Sequence, residues 1–120
     1  MTANRRPIRA LFVCNQNRLR SPTAQQVFGN EPTLEVRSAG VDRDATVPLT
    51  RDLLEWADVV FVMEWRQRNV IHKRYRDLYA SKQIICLYIP DTYAYMDNEL
   101  VVLLRQRVSV HLEELDARRE

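Results

Sequence analysis

Cys14 and Arg20 stand six positions apart in a segment whose residue types suit nucleophilic chemistry on a phosphoryl group. Residues 8–13, which are apolar apart from Arg9, lead directly into Cys14, and residues 21–24 after Arg20 have the composition of a helix start. A cysteine thiolate requires positive surroundings, which a helix N-terminus and a guanidinium supply. The same donors bind the three oxygens of a phosphoryl group. The segment therefore predicts a phosphate-binding loop with a nucleophile at its base.

The Cys–Arg spacing alone has low specificity, because arginine is abundant in this chain. Lysine and arginine together number 18, and only Lys73 and Lys82 are lysines. What gives the pair weight is its position between a predicted strand and a predicted helix, which a chance pair need not share.

Hydrophobic periodicity predicts the elements that must position this loop. Four short apolar or alternating segments are predicted strands: residues 8–13, 34–38, 59–63 and 83–89. The segments between and after them are predicted helices: residues 21–29 with Ser21 as N-cap, 50–56 capped by Thr50, 64–79, and a long final helix capped by Asp97. This alternation predicts a three-layer α/β fold, a four-stranded parallel sheet with helices on both faces, as a single domain over residues 1–120.

The parallel sheet brings Asp91 towards Cys14, since each follows the carboxyl end of a strand and ligands bind at that edge. Arg20 has the planar fork that clamps phosphoryl oxygens in a transition state. Asp91 is the candidate acid for the leaving oxygen and the base for the attacking water. Ser21 is a candidate hydrogen-bond donor to the sulfur. The backbone N–H groups that would form the anion cradle belong to Asn15, Gln16, Asn17, Arg18, Leu19 and Arg20.

Three further residues are candidates for the cavity, and for each a purely structural interpretation is equally good. Tyr93 and Tyr95 either line the cleft against an aromatic substrate or cover the loop. Arg18 either attracts anionic substrates or is an ordinary exposed arginine. Cys86, in a predicted strand, is interpreted as a core residue. A basic stretch (Arg66, Arg68, Lys73, Arg74 and Arg76) is interpreted as a solvated helix face, with an anionic partner as the alternative.

Composition excludes several other classes of protein. The 120 residues carry a net charge of +2, too small to argue for nucleic-acid binding. No apolar run approaches the ~18 residues of a membrane span, and residues 1–7 lack the apolar core of a signal peptide, so we expect a cytoplasmic protein without membrane partners. Two cysteines and two histidines far apart in sequence predict neither a disulfide framework nor a zinc site.

Residues 13–22 resemble the signature loop of the low-molecular-weight protein tyrosine phosphatases, which usually reads Cys, any residue, Gly, Asn, any residue, Cys, Arg, Ser, Pro. Residues 36–40 resemble the second strand of that family, residues 57–64 its third strand with a Met-acidic end, and residues 89–93 its acid loop. These matches follow one another in the family's order through most of the chain. The resemblance implies the strand order 2-1-3-4 and a cofactor-free phosphatase that binds phosphate or sulfate in the loop.

The chain departs from the family pattern at several positions. Gln16 replaces the loop glycine, so we expect Asn17, a residue that tolerates left-handed backbone, to accommodate the turn. Leu19 replaces the second loop cysteine, and Thr92 replaces a proline. Residues 41–50 form a much shorter connection than relatives use there, which implies a compact, divergent member whose pocket wall is shorter or built from elsewhere.

The resemblance implies hydrolysis of phosphotyrosine or similar aryl phosphate monoesters, free or on a protein, through a phosphocysteine intermediate formed on Cys14. We expect a phosphoarginine substrate to be disfavoured, because Arg18 would repel its cation. The alternatives are a catalytically weak module that binds phosphate or phosphoproteins, and an arsenate reductase. The latter needs a cysteine relay in which Cys86 would be a poor participant.

Overall fold

The computed structural model describes residues 6–118, so residues 1–5 and 119–120 of the predicted domain lie outside the described part. Its four strands are β1 (Ile8–Cys14), β2 (Leu34–Gly40), β3 (Val59–Val62) and β4 (Gln83–Cys86). All pairs are parallel and the sheet order is β2-β1-β3-β4. The predicted strand order is confirmed, and β1, which ends in Cys14, is a central strand.

Helices cover both faces of the sheet, which confirms the three-layer α/β prediction. They are α1 (Arg20–Phe28), α2 (Arg51–Trp56), α3 (Trp65–Arg74), α4 (Arg76–Tyr79) and α5 (Asn98–Arg118). Successive side chains of each strand point to opposite faces of the sheet. Helices α1 and α5 pack against the side chains on one face, and α2 and α3 pack against those on the other. No helix among residues 6–118 is both long enough and apolar enough to cross a membrane.

Aromatic packing fixes α1 on the sheet below the site. The Phe12 ring stacks between Phe28 of α1 and Phe61 of β3, with ring centroids 5.6 and 5.2 Å apart. On the opposite face, Leu54 of α2 and Ile71 of α3 are fully buried against the alternate side chains of β1 and β3. These contacts give the carboxyl edge of the sheet a rigid support.

The single helix predicted over residues 64–79 is wrong, because the chain breaks at Tyr75 into α3 and α4. Tyr75 has φ −131° and ψ 53°, outside the helical region. Its side chain packs into the core, and its hydroxyl donates to the carbonyl of Leu49 at 3.4 Å. Tertiary packing of the Tyr75 ring therefore overrides the helical periodicity.

The fourth strand ends at Cys86, earlier than the predicted residue 89, because Tyr88 has a left-handed backbone with φ 55°. The N–H groups of Leu87 and Ile89 still donate to the carbonyls of Val62, the last residue of β3, and of Met63, each at 2.8 Å. The segment beyond β4 therefore stays beside β3 although its backbone is no longer extended throughout.

Two of the three predicted helix caps are confirmed. Thr50 Oγ1 accepts from the N–H of Leu53 at 3.2 Å, and Asp97 Oδ1 accepts from the N–H of Glu99 at 2.9 Å. The predicted N-cap at Ser21 is wrong, since α1 already begins at Arg20 and Ser21 lies inside its first turn. The Ser21 hydroxyl is engaged in the site described below.

We expect Asp58→Asn to lower the free energy of unfolding by about 1 kcal/mol at neutral pH. The Arg6 guanidinium binds both Asp58 oxygens, at 2.7 and 2.8 Å, and lowers the pKa of this carboxyl despite partial burial; the Arg9 N–H also donates to it. Because the folded-state pKa lies below the unfolded value, the stabilisation is complete above that value and is lost as pH falls through the folded-state pKa.

Urea denaturation of both proteins across pH 2–7 measures this effect, with Asp44→Asn as the control because its side chain is exposed. The difference between wild type and Asp58→Asn should shrink steadily below about pH 4. A difference that is independent of pH would contradict an ionic origin.

Candidate active site

The site lies where β1 ends and the chain turns into α1. Cys14 is the last residue of β1 and is only 3% exposed. Residues 15–19 then curve around its sulfur before α1 begins at Arg20. The carboxyl ends of the parallel strands meet at this edge, as predicted for ligand sites in such sheets.

Two hydrogen-bonding groups surround the Cys14 sulfur. The N–H of Asn17 donates to Sγ at 3.2 Å, and the Ser21 hydroxyl lies 3.0 Å from it. The Asn17 side chain donates to that hydroxyl oxygen at 2.8 Å, which orients it. The hydroxyl also lies 3.3 Å from the carbonyl of Ala39, so its single proton is shared between this carbonyl and the sulfur. A thiolate at Cys14 would strengthen the bond to the sulfur.

The left-handed turn of the loop falls on Asn17, with φ 55°, and not on Gln16. Asparagine adopts this conformation more readily than bulkier residues do. Gln16 therefore does not have to adopt the left-handed backbone conformation that a glycine would favour. A close approach does occur at Gly40, where an added Cβ would come within 2.6 Å of the Asn15 carbonyl oxygen and 2.9 Å of the Asn17 nitrogen.

The short connection over residues 41–50 runs alongside the loop and binds its carbonyl groups. The N–H groups of Val41, Asp42 and Thr46 donate to the carbonyls of residues 14, 15 and 16 at 3.0, 2.9 and 3.0 Å. In a planar trans peptide the carbonyl and the following N–H point in opposite directions. The N–H groups of residues 15–17 are therefore directed away from this connection, which suits an anion cradle.

Arg20 is 1% exposed and is fixed by contacts behind its guanidinium. Its Nη1 donates to Glu64 Oε1 at 2.6 Å and to the carbonyl of Ile89 at 2.8 Å. Its Nε lies 3.5 Å from Asp91 Oδ1. With Nη1 engaged by Glu64 and Ile89, the edge formed by Nε and Nη2 is the one that can meet two phosphoryl oxygens.

A second hydrogen-bond network holds the Asn15 side chain. Asn15 Oδ1 accepts from Gln67 Nε2 at 2.7 Å and from Arg66 Nη1 at 2.8 Å. Arg66 also donates through Nη2 to Asp42 at 2.9 Å. Gln67 is fully buried and accepts from the N–H of Glu64, which caps α3. The start of α3 therefore ties together the loop and the 41–50 connection.

Most of the predicted site residues line one cavity of about 180 Å³. Its walls are Cys14, Asn15, Gln16, Arg18, Leu19, Arg20, Asp42 and Asp91. Asn17 and Ser21 lie buried around the Cys14 sulfur. Arg18 is turned along the rim, where it donates to Gln16 Oε1 at 3.0 Å and faces the Asp44 carbonyl at 3.5 Å.

The structure places Tyr93 away from this cavity. Its side chain packs against the core and lines a shallow groove beside α5, together with Asn98, Glu99, Val102 and Leu103. Cys86 lies on β4 with its side chain on the α2–α3 side of the sheet, whereas Cys14 packs on the α1–α5 side. Partial burial raises the pKa of the Cys86 thiol. Among residues 6–118, no cluster of His, Cys, Asp and Glu side chains could hold a metal ion.

Four residues of the site were not predicted: Asp42, Glu64, Arg66 and Gln67. Glu64 had a usable signal, because it follows β3 at the same sheet edge as Cys14 and Asp91. No sequence signal marked Arg66 and Gln67, because they stand in a polar segment in which every residue is equally compatible with exposure to solvent. Asp42 belongs to a short polar connection whose path the sequence does not reveal.

Fold and site together define an α/β protein with a cysteine at the base of a loop that joins a central parallel strand to a helix. No protein-family model and no curated protein matches this sequence. Solved structures do match: YwlE arginine phosphatase from Geobacillus stearothermophilus aligns over 92% of this chain and 97% of its own, at 23% identity and TM-score 0.66.

The tyrosine phosphatase Wzb from Escherichia coli K30, solved in complex with phosphate, aligns over 89% of this chain and 97% of its own at 20% identity and TM-score 0.71. SP-PTP, a low molecular weight protein tyrosine phosphatase from Streptococcus pyogenes, aligns over 90% and 93% at 17% identity and TM-score 0.74. The chain has the fold of the low-molecular-weight protein tyrosine phosphatases, as the sequence resemblance implied.

Proposed function

We propose that this protein is a cysteine-dependent phosphatase that hydrolyses phosphotyrosine or similar aryl phosphate monoesters through a phosphocysteine intermediate. The observation that carries the proposal is the shared cavity of Cys14, Arg20 and Asp91. A nucleophile, an anion clamp and a carboxyl group open onto one space, on a fold whose solved representatives include tyrosine and arginine phosphatases. That is the set of groups which phosphoryl transfer to sulfur requires.

In the first step, the Cys14 thiolate attacks phosphorus while the bond to the leaving oxygen breaks. Asp91, in its protonated form, transfers its proton to that oxygen. In the second step, the Asp91 carboxylate takes a proton from water, the water oxygen attacks phosphorus, and the sulfur–phosphorus bond breaks. Inorganic phosphate leaves and the thiolate is restored. Asp91 is 53% exposed, so water reaches it directly.

Arg20 stabilises the charge that develops on the equatorial oxygens in both steps. Glu64 and the Ile89 carbonyl hold its plane in place before substrate binds, so no reorganisation is needed at the moment of reaction. A phosphoryl group would replace Asp91 as the partner of Nε, which frees Asp91 to act on the leaving group. Binding of the phosphoryl group at Arg20 is therefore linked to release of the Asp91 carboxyl group from its contact with Arg20.

Phosphoarginine is a second candidate substrate, because carboxyl groups as well as arginines line the cavity. Asp42 and Asp91 both line the cavity, and none of its walls is aromatic. Arg18, which we expected to repel a guanidinium, is turned along the rim towards Gln16. Initial rates on matched phosphotyrosyl and phosphoarginyl peptides decide between the two. Selective loss of the phosphoarginine rate in Asp42→Asn would support the second candidate, and equal losses would argue against it.

Two alternatives are less well supported. An arsenate reductase relay needs a second cysteine within reach of Cys14. Cys86 is separated from β1 by the whole of β3, about 9.6 Å at the usual strand spacing, beyond disulfide distance. A module that only binds phosphate would need no catalytic groups, whereas Cys14, Arg20 and Asp91 are all present around one cavity.

We expect Asp91→Asn to lower kcat/KM, which reports transfer of the phosphoryl group to Cys14 and not the later hydrolysis, by about 10²–10⁴-fold on aryl phosphates with weakly acidic phenols. The loss should be small on esters of strongly acidic phenols, because those leaving groups need no protonation. The effect is measured by plotting kcat/KM against the pKa of the leaving phenol for wild type and for the variant. Asp97→Asn is the matched control, since asparagine also serves as a helix cap. An equal loss on every ester would refute the role of Asp91 as an acid.

A further inference from the structure

A cluster of three aromatic side chains and one arginine, in which two rings are exposed and the other two side chains are half-buried, lies outside the cavity. We call Trp65, Arg68, Tyr79 and Tyr88 the aromatic–arginine patch. Trp65 is 47% exposed and Tyr88 58%, and their rings meet edge to face at 6.3 Å. The Arg68 guanidinium lies 4.2 Å from the Trp65 ring centroid and 5.6 Å from that of Tyr79. Rings this large are rarely left in solvent without an interaction to make.

The patch is continuous with the active site through the backbone. Trp65 directly follows Glu64, and Tyr88 directly precedes Ile89. Glu64 and Ile89 are the two groups that hold Nη1 of Arg20. Consecutive Cα atoms are about 3.8 Å apart, so the patch begins one residue beyond the groups that position Arg20. A peptide whose phosphorylated residue enters the cavity would continue across neighbouring surface of this kind.

Tyr88 is held in an unfavourable conformation that keeps its ring exposed. Its φ of 55° is rare for a bulky residue, and such conformations concentrate at functional sites. Arg107 of α5 secures this turn by donating through Nη1 to the carbonyls of Leu87 and Tyr88, at 2.7 and 2.5 Å. An exposed arginine of α5 therefore stabilises the backbone turn at the exposed Tyr88.

Charge identifies the kind of partner. Arg68 stacks on rings, and no carboxylate among residues 6–118 pairs with its guanidinium. A guanidinium already ordered by stacking can accept a carboxylate without further loss of side-chain freedom.

We propose that the aromatic–arginine patch binds an acidic segment of the phosphorylated protein substrate, next to the phosphorylated residue. This inference rests on the proposed phosphatase function. Arg68 pairs with a carboxylate of the segment, and the Trp65 and Tyr88 rings cover its aliphatic carbons. None of the four patch residues lines the cavity, so a small free aryl phosphate bound there should not depend on the patch.

Steady-state kinetics of Arg68→Gln test the proposal with three substrates: a free aryl phosphate, a phosphotyrosyl peptide flanked by Asp and Glu, and the same peptide flanked by Lys. We expect KM for the acidic peptide to rise about fivefold, with its kcat and the free aryl phosphate kinetics unchanged. Arg37→Gln is the matched control. The Arg37 guanidinium also stacks on an indole, 4.4 Å from the ring centroid of Trp56, which is not part of the patch. Equal KM values for the acidic peptide in wild type and Arg68→Gln would overturn the proposal.

A binding measurement separates failure of this proposal from failure of the proposed function. The chain has two tryptophans, so in a Cys14→Ser, Trp56→Phe protein Trp65 is the only indole. Adding the acidic phosphopeptide should change its emission, and the lysine-flanked peptide should have a weaker effect. Unchanged emission at saturation would overturn the patch proposal. Absence of aryl phosphate hydrolysis by wild type would instead refute the phosphatase function itself.

Discussion

Replacing Cys14 with serine is expected to lower kcat for aryl phosphate hydrolysis by about 10⁵-fold. A serine hydroxyl at this position has no neighbouring base to activate it, because the groups around the sulfur are donors: the Asn17 N–H and the Ser21 hydroxyl. The anion cradle and Arg20 are untouched by the substitution. Binding of inorganic phosphate, measured by calorimetry, should therefore remain within about threefold of wild type.

Cys86→Ser is the matched control for this experiment. Cys86 is the only other cysteine and lies on another strand and the other side of the sheet. Its substitution should leave kcat and KM unchanged. Substantial activity in Cys14→Ser, or an equal loss in both variants, would remove Cys14 from the role of nucleophile.

Arg20→Lys is expected to lower kcat by about 10³-fold and to weaken phosphate binding. The arginine meets Glu64 and the Ile89 carbonyl through Nη1, which leaves Nε and Nη2 for phosphoryl oxygens. A single ammonium cannot satisfy Glu64, the carbonyl and two phosphoryl oxygens at once. The loss should therefore appear in kcat as well as in affinity, although the formal charge is unchanged.

Arg105→Lys serves as the control, since Arg105 is exposed on α5 beside the groove between α1 and α5. Circular dichroism and a thermal melt establish that Arg20→Lys is folded. Should it be unfolded, Glu64→Gln tests the same interaction from the other side. That variant should keep phosphate binding and lose part of kcat. Full activity in a folded Arg20→Lys protein would contradict the clamp.

The parts of the fold that could be predicted are those fixed by local sequence. β3 is an unbroken apolar run, β1 is interrupted only by Arg9, and both strands are buried on both faces along most of their length, so their assignment needed no tertiary information. Thr50 and Asp97 cap helices because their side chains bond to backbone only two or three residues away. The relation of Cys14 to Asp91 follows from parallel topology alone.

The parts that could not be predicted depend on contacts between distant residues. Ser21 has the composition of an N-cap, yet its hydroxyl serves the Cys14 sulfur, which no local rule anticipates. Tyr75 interrupts a helix because its ring is needed in the core. Arg66 joins Asn15 to Asp42 across 51 and 24 residues of sequence, so its role becomes visible only once the chain has folded.

The phosphocysteine intermediate is the central claim, and trapping it is the most direct test. Asp91→Asn should slow its hydrolysis, because the base that activates water is removed. Mixing this variant with an aryl phosphate of a strongly acidic phenol, quenching in acid and mapping peptides by mass spectrometry should reveal a phosphoryl group on Cys14. Release of the phenol without any adduct on Cys14, or with the phosphoryl group on another residue, would contradict the mechanism.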